Sequence, residues 1–94
     1  MTKVIVLDET DNVATAIAEI AEGENVEAGS RRVVAKEAIP FGHKVALAPI
    51  ANGDSILKYG ESIGLAKGDI SEGACVHVHN VDSQRGRGDR GARS

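Results

Sequence analysis

A chain of 94 residues allows one domain with one modest core, a size that suits a module or subunit better than a complete enzyme with an enclosed cavity. One Phe, one Tyr, no Trp and eleven glycines leave the core to Val, Ile, Leu and Ala and mark many turns, a composition of short strands. A lone cysteine excludes an internal disulfide framework, no apolar run could span a membrane and no signal peptide is evident, so a cytosolic protein is expected; the net charge of −3 divides into an acidic body and a basic tail.

In chain order, Lys3 to Leu7 is an apolar run of strand length, stopped by the turn-forming cluster Asp8, Glu9, Thr10, Asp11 and Asn12. Val13 to Ala21 reads two ways. Val13, Ala16, Ile17, Ile20 and Ala21 fit a helical face that Asn12 could cap, which favours a helix for this segment taken alone, whereas Val13, Thr15 and Ile17 alternate as in a strand.

A recurring pattern shifts that balance towards a strand. Ile, two residues, Gly, two residues and Val or Ile occur in this order four times, at Ile20–Val26, Ile39–Val45, Ile50–Ile56 and Ile70–Val76. Each copy reads as a tight turn in which Ile anchors the entry, Gly supplies a backbone angle that other residues resist, and the next apolar residue starts a strand. The copies are spaced 19, 11 and 20 residues apart, which excludes a solenoid of fixed period. Strands are expected over Arg32 to Lys36, Lys44 to Leu47, Ser55 to Tyr59 and Cys75 to Val81. Pro40 sets the second turn, Pro49 ends the strand at Leu47, and Gly60 and Gly64 bracket a bend through Glu61, Ser62 and Ile63.

The stretch Gly73 to Asn80, Gly-Ala-Cys-Val-His-Val-His-Asn, is the richest in chemistry. In an extended strand Val76 and Val78 would enter a core while Cys75, His77 and His79 share the other face. Two imidazoles roughly 7 Å apart at Cα could converge on one divalent ion if a third ligand arrived from elsewhere, or remain two solvated histidines. His43, directly after Gly42, could supply that third imidazole or be an ordinary turn-end residue. Cys75 is either a softer metal ligand or a small buried thiol, the latter slightly favoured.

The run Ile39-Pro-Phe-Gly-His-Lys-Val-Ala-Leu47, then Lys58-Tyr-Gly60, Ile63-Gly64 and Val76-His-Val-His-Asn80, in this order, resembles the SAF domain of the altronate and galactarate dehydratase family, including the small subunits of its two-chain members. The resemblance covers residues 3 to 81. It implies an all-β, compact β-clip fold with little helix, and it implies hydro-lyases that remove water from sugar acids, with sulfolactate lyases as relatives. It also implies a large catalytic dehydratase subunit as partner, so that this chain would be a small subunit, inactive alone. The expected division is a SAF-like domain over 1–81 and a basic tail over 82–94.

Dehydration of a 2,3-dihydroxy acid requires loss of a weakly acidic proton beside the carboxylate and departure of a hydroxyl. A divalent ion, Fe²⁺ or Mn²⁺, would stabilise the enediolate, and a protonated imidazole could assist the leaving oxygen. The expected roles derive from that need. His77 and His79 are metal or acid groups, His43 a third metal ligand, and Asn80 a hydrogen-bonding partner of substrate or of a ring. Lys44 and Lys58 would pair with the substrate carboxylate unless they are solvated strand-edge lysines. Tyr59 is a hydroxyl donor or a core filler.

Residues 82 to 94 hold four arginines against two aspartates and no residues for a core. Arg85, Arg87 and Arg90 suit a carboxylate-rich groove on a partner or an anionic substrate. One short basic tail on an acidic body without an aromatic platform argues against nucleic acid. A homo-oligomer stays open.

Overall fold

The computed structural model describes residues 3–6 and 8–82, and these are nearly all β. The strands are β1 (Val4–Ile5), β2 (Val13–Ala16), β3 (Asn25–Ala28), β4 (Arg31–Val34), β5 (Lys44–Ala46), β6 (Ser55–Lys58), β7 (Glu61–Ala66), β8 (Cys75–Val76) and β9 (Val81–Asp82), with one 3₁₀ turn at Val78–Asn80. All pairings are antiparallel. A central sheet runs β1-β2-β5-β8, β3 and β4 form a hairpin, and β6-β7-β9 form a third sheet.

The central sheet has a core on each face. Ala14, Ala16, Val45, Leu47 and Cys75 enter one together with Ile20, Val26 and Ile39, while Val13, Ala46 and Val76 enter the other with Ile50, Ile56 and Ile70. Burial on both faces explains why Val13 to Ala21 carries no clean alternation. The segment is strand β2 leading into the first turn, and the helix favoured for it in isolation does not form.

The four expected turns are all present. Ile20 and Ile39 exchange both backbone hydrogen bonds (3.0 and 2.8 Å), and so do Ile50 and Ile70 (2.8 and 2.7 Å). Gly23, Gly42, Gly53 and Gly73 have φ of 85°, 89°, 89° and 88°, the left-handed region that glycine enters without a Cβ penalty. Each donates its N–H to an alanine carbonyl, of Ala35, Ala16, Ala66 and Ala46 respectively, and that alanine's N–H returns to the residue after the glycine.

The turns therefore belong to a doubled unit. Gly23 and Gly53 stand 30 positions apart and Gly42 and Gly73 stand 31 apart, so residues 14–45 and 44–76 trace the same path and share β5. The extra residue is Ile63, where the β6–β7 register slips from Ile56↔Gly64 to Leu57↔Ser62 as a bulge. The uneven spacing that rules out a simple solenoid is the trace of this doubling.

Two expectations are corrected. The bend between Gly60 and Gly64 is a strand, β7, with the bulge inside it, while Asn25–Ala28 is the strand that the first turn pattern leads into at Val26. The strand expected over Cys75 to Val81 ends at Val76, gives way to the 3₁₀ turn, and resumes as β9 against β7. None of the helical segments described is long and apolar enough to cross a membrane.

Candidate functional site

In the β5–β8 register Val45 faces Cys75 and Lys44 faces Val76, so the next step places His43 opposite His77. Their rings stack, with centroids 3.7 Å apart and planes 8° from parallel. Cys75 Sγ lies 3.6 Å from His43 Nδ1. Asn80 ends the strand here. Its Oδ1 accepts the His77 N–H at 2.9 Å, its Nδ2 donates to the Cys75 carbonyl at 2.9 Å, and its own N–H donates to the His77 carbonyl at 3.1 Å.

The chain thus curls after His77. Val76 enters the core as expected, but Val78 is 74 % exposed, and His79 sits exposed on the turn instead of beside His77 on a strand face. The pair brought together is His43 with His77. Asn80 uses both ends of its amide on the chain's own backbone.

Charge at this end of the sheet is mostly cationic, with the Glu37 carboxylate set against the Cys75 backbone. The His77 pKa is pushed below that of an ordinary imidazole by burial first, then by His43, Lys44 and His79, and its Nδ1 is buried with no hydrogen-bond partner among the described residues. The half-buried Lys44 ammonium is likewise held below the usual lysine range, by desolvation and then by Lys58. Among the described residues neither lysine meets a carboxylate, and the Lys58 ammonium lies 4.9 Å from the centroid of the Tyr59 ring. Cys75 is a free thiol, 7 % exposed and packed in the first core; burial and the Glu37 carboxylate, which accepts the Cys75 N–H at 3.0 Å, raise its pKa and keep it neutral.

A divalent metal fits these residues poorly. An imidazole binds metal along a lone pair in its ring plane, and two rings stacked face to face present parallel lone pairs that do not meet at one ion. Among the described residues no group of three His, Cys, Asp or Glu side chains is arranged to hold a metal, and Lys44 would repel a dication. The donors among the described residues do not close a coordination shell by themselves.

Sequence reasoning missed Asp11 and Asn12, which it treated as turn formers. Asp11 is 1 % exposed; its two carboxylate oxygens accept the Gly60 and Tyr59 N–H groups at 2.7 and 2.9 Å, and its carbonyl accepts from Arg31 at 2.7 Å. Asn12 accepts the Leu57 N–H at 2.7 Å and donates to the Ser55 carbonyl at 2.9 Å. Together they fasten the hairpin that carries Lys58 and Tyr59. The only signal for this in the sequence is an Asp-Asn pair directly before a buried strand.

Arg85, Arg87 and Arg90 lie outside the described residues. The fold and the histidine-bearing segment both fall within residues 2–84, which match the profile of the altronate/galactarate dehydratase SAF domain. The chain belongs to this family.

The SAF domain is 45 % identical over 71 residues to the altronate dehydratase of Escherichia coli K12, covering 76 % of this chain and 14 % of that one. It is 44 % identical over 81 residues to the altronate dehydratase of Bacillus subtilis 168, covering 86 % and 16 %. The (2R)-sulfolactate sulfo-lyase subunit alpha of Paracoccus pantotrophus is 48 % identical over 54 residues, 57 % of this chain and 81 % of that subunit. The chain therefore spans about a sixth or less of the altronate dehydratases it matches and most of the lyase subunit. The all-β fold with glycine-cornered turns is the one the SAF resemblance implies.

Proposed function

We propose that this SAF domain is the small subunit of a hydro-lyase that dehydrates a sugar acid of the altronate or galactarate type, inactive until it joins a larger catalytic chain. The observation that carries this reading is the grouping of Lys44 with the stacked His43 and His77 at one end of the central sheet, where the lysine meets no carboxylate among the described residues. Lys44 and His77 both have their charged forms disfavoured by desolvation first and by neighbouring cationic groups second, and a bound anion would favour the charged form of each.

In this reading Lys44 and Lys58 hold the substrate carboxylate. His77, neutral at pH 7 because of its surroundings, is better suited to receive a proton than to give one, so it serves as base at the carbon beside the carboxylate. His43, stacked on it, fixes the ring plane. Asn80 anchors the His77 backbone. His79, exposed on the next turn, is the candidate acid for the departing hydroxyl. Fe²⁺ or Mn²⁺, if the assembled enzyme uses one, would take its ligands from the larger chain, since His77 and His79 serve here as base and acid.

The larger chain would dock beside the histidine pair. Phe41 is 68 % and Val78 74 % exposed, and these lie two residues before His43 and one after His77. Arg85, Arg87 and Arg90 would add contacts to carboxylates on that partner.

The test is reconstitution with a large dehydratase chain. Activity should appear only in the mixture; Lys58→Met should raise KM about tenfold, a loss of roughly 1.4 kcal/mol, and His77→Ala should lower kcat with assembly intact. Full turnover by His77→Ala and Lys58→Met mixtures would reject the composite site in favour of a noncatalytic assembly module. A sulfolactate-lyase role is the second reading, favoured by coverage of 81 % of the Paracoccus pantotrophus subunit. Release of sulfite from sulfolactate, without dehydration of altronate, would select it.

A further inference from the structure

The doubled unit contains its own control. Its two hairpins turn over two-residue loops, Gly29-Ser30 between Ala28↔Arg31 and Tyr59-Gly60 between Lys58↔Glu61. The first central residue is left-handed in both, with φ of 63° at Gly29 and 57° at Tyr59, and Gly60 comes next at 79°. These are the sign patterns of type II′ and type I′ turns. Glycine adopts the left-handed angle freely. A bulky aromatic residue does not, and Tyr59 is the only non-glycine residue with positive φ among those described.

Packing does not require the ring. Tyr59 is 46 % exposed, so it is not the core filler that a lone tyrosine suggests. What the ring meets is the Lys58 ammonium, 4.9 Å from its centroid. The backbone is held for this purpose by the buried Asp11 carboxylate, which accepts both tip N–H groups, and no carboxylate does the same for Gly29 and Ser30 among the described residues. Gly60 suits its place because its φ of 79° is one that side chains resist.

We infer that Tyr59 is a positioning residue: its ring carries the Lys58 ammonium at the mouth of the carboxylate site, and the hairpin tip is clamped in a glycine conformation to place it there. This deepens the reading of Lys44 and Lys58 as the carboxylate pair and rests on it. A tip residue that served only the turn would be better as glycine in every respect. Tyr59 should be better as glycine for stability alone.

The experiment compares the 94-residue chain with its Tyr59→Gly and Tyr59→Phe variants by proton NMR and thermal melting, and by titration with altronate after each is reconstituted with a large dehydratase chain. In the unaltered chain the Lys58 ε-methylene protons should lie upfield of the other lysines through the ring current. Tyr59→Gly should lose that shift, melt at an equal or higher temperature, and bind altronate about threefold to fivefold more weakly, the size of an exposed cation–π contact. Tyr59→Phe should keep both shift and affinity. Unchanged affinity in Tyr59→Gly, or a Lys58 signal that is the same with and without the ring, would overturn the inference. An upfield Lys58 in an unaltered chain whose reconstituted complex binds no altronate would support the positioning role and sink the substrate reading instead.

Discussion

Residues 14–45 and 44–76 build the same path of turn, hairpin and turn, yet they contribute to the candidate site at different positions. Ala28 of the first copy corresponds to Lys58 of the second, Gly29 to Tyr59, and Ala46 to His77. His43, at the close of the first copy, corresponds to Ala74. The backbone of a doubled unit is a scaffold set by core Ile and Val and by the left-handed glycines. The candidate site residues stand where equivalent positions have diverged.

The four turns are alike in backbone but not in surroundings, and the largest expected effect exploits that. A Cβ at Gly23, Gly42 or Gly53 meets open space, whereas one at Gly73 would collide with the Val34 carbonyl. Gly53→Ala should cost about 1 kcal/mol for its angle alone. Gly73→Ala adds a backbone clash and should cost about 3 kcal/mol or more, enough to unfold a domain of this size in part. Urea unfolding of the two variants measures the difference, and equal losses would mean that the fourth turn is not wedged against β4.

Next in size is the clamp that distinguishes the hairpins. Asp11→Ala leaves the Tyr59 and Gly60 amides without their acceptor and should cost about 1–3 kcal/mol. Hydrogen exchange should quicken at residues 57–60 and stay slow in the Gly29 hairpin.

A smaller effect is on pH dependence. The folded His77 pKa lies below its unfolded value near 6.5, so the unfolded chain binds the proton more readily and stability falls with pH from about 6.5 downward through the depressed folded pKa. His77→Ala should flatten that decline in melting temperature between pH 7 and 5, and an unchanged slope would exclude His77 as its source. The smallest expected change concerns Cys75: with its pKa raised by burial and by Glu37, it should react more slowly than a peptide thiol with a thiol reagent at pH 7.

The turns were legible because Ile-x-x-Gly-x-x-Val is a local instruction: an anchor, a left-handed angle and a strand start act within seven residues. The family motifs were legible for the same reason. Strand β7 was not, because Gly60 and Gly64 read as breakers, while in the fold one is the second residue of a hairpin loop and the other leaves no room for a side chain against Val81 and Asp82. The end of β8 at Val76 was hidden by an alternating His-x-His, which Asn80 overrides by capturing the His77 N–H.

The amino-acid order alone determined an all-β module with four glycine corners and a histidine-rich segment near its end, since those depend on backbone preference and short-range spacing. Only the tertiary structure decided which imidazole meets which. His43 and His77 are 34 positions apart and are brought together by the pairing of β5 with β8. The same holds for the reach of Asp11 to the tip at Tyr59. Contacts of that kind arise from how strands stack around two cores, and no stretch of sequence short enough to read by periodicity contains both partners.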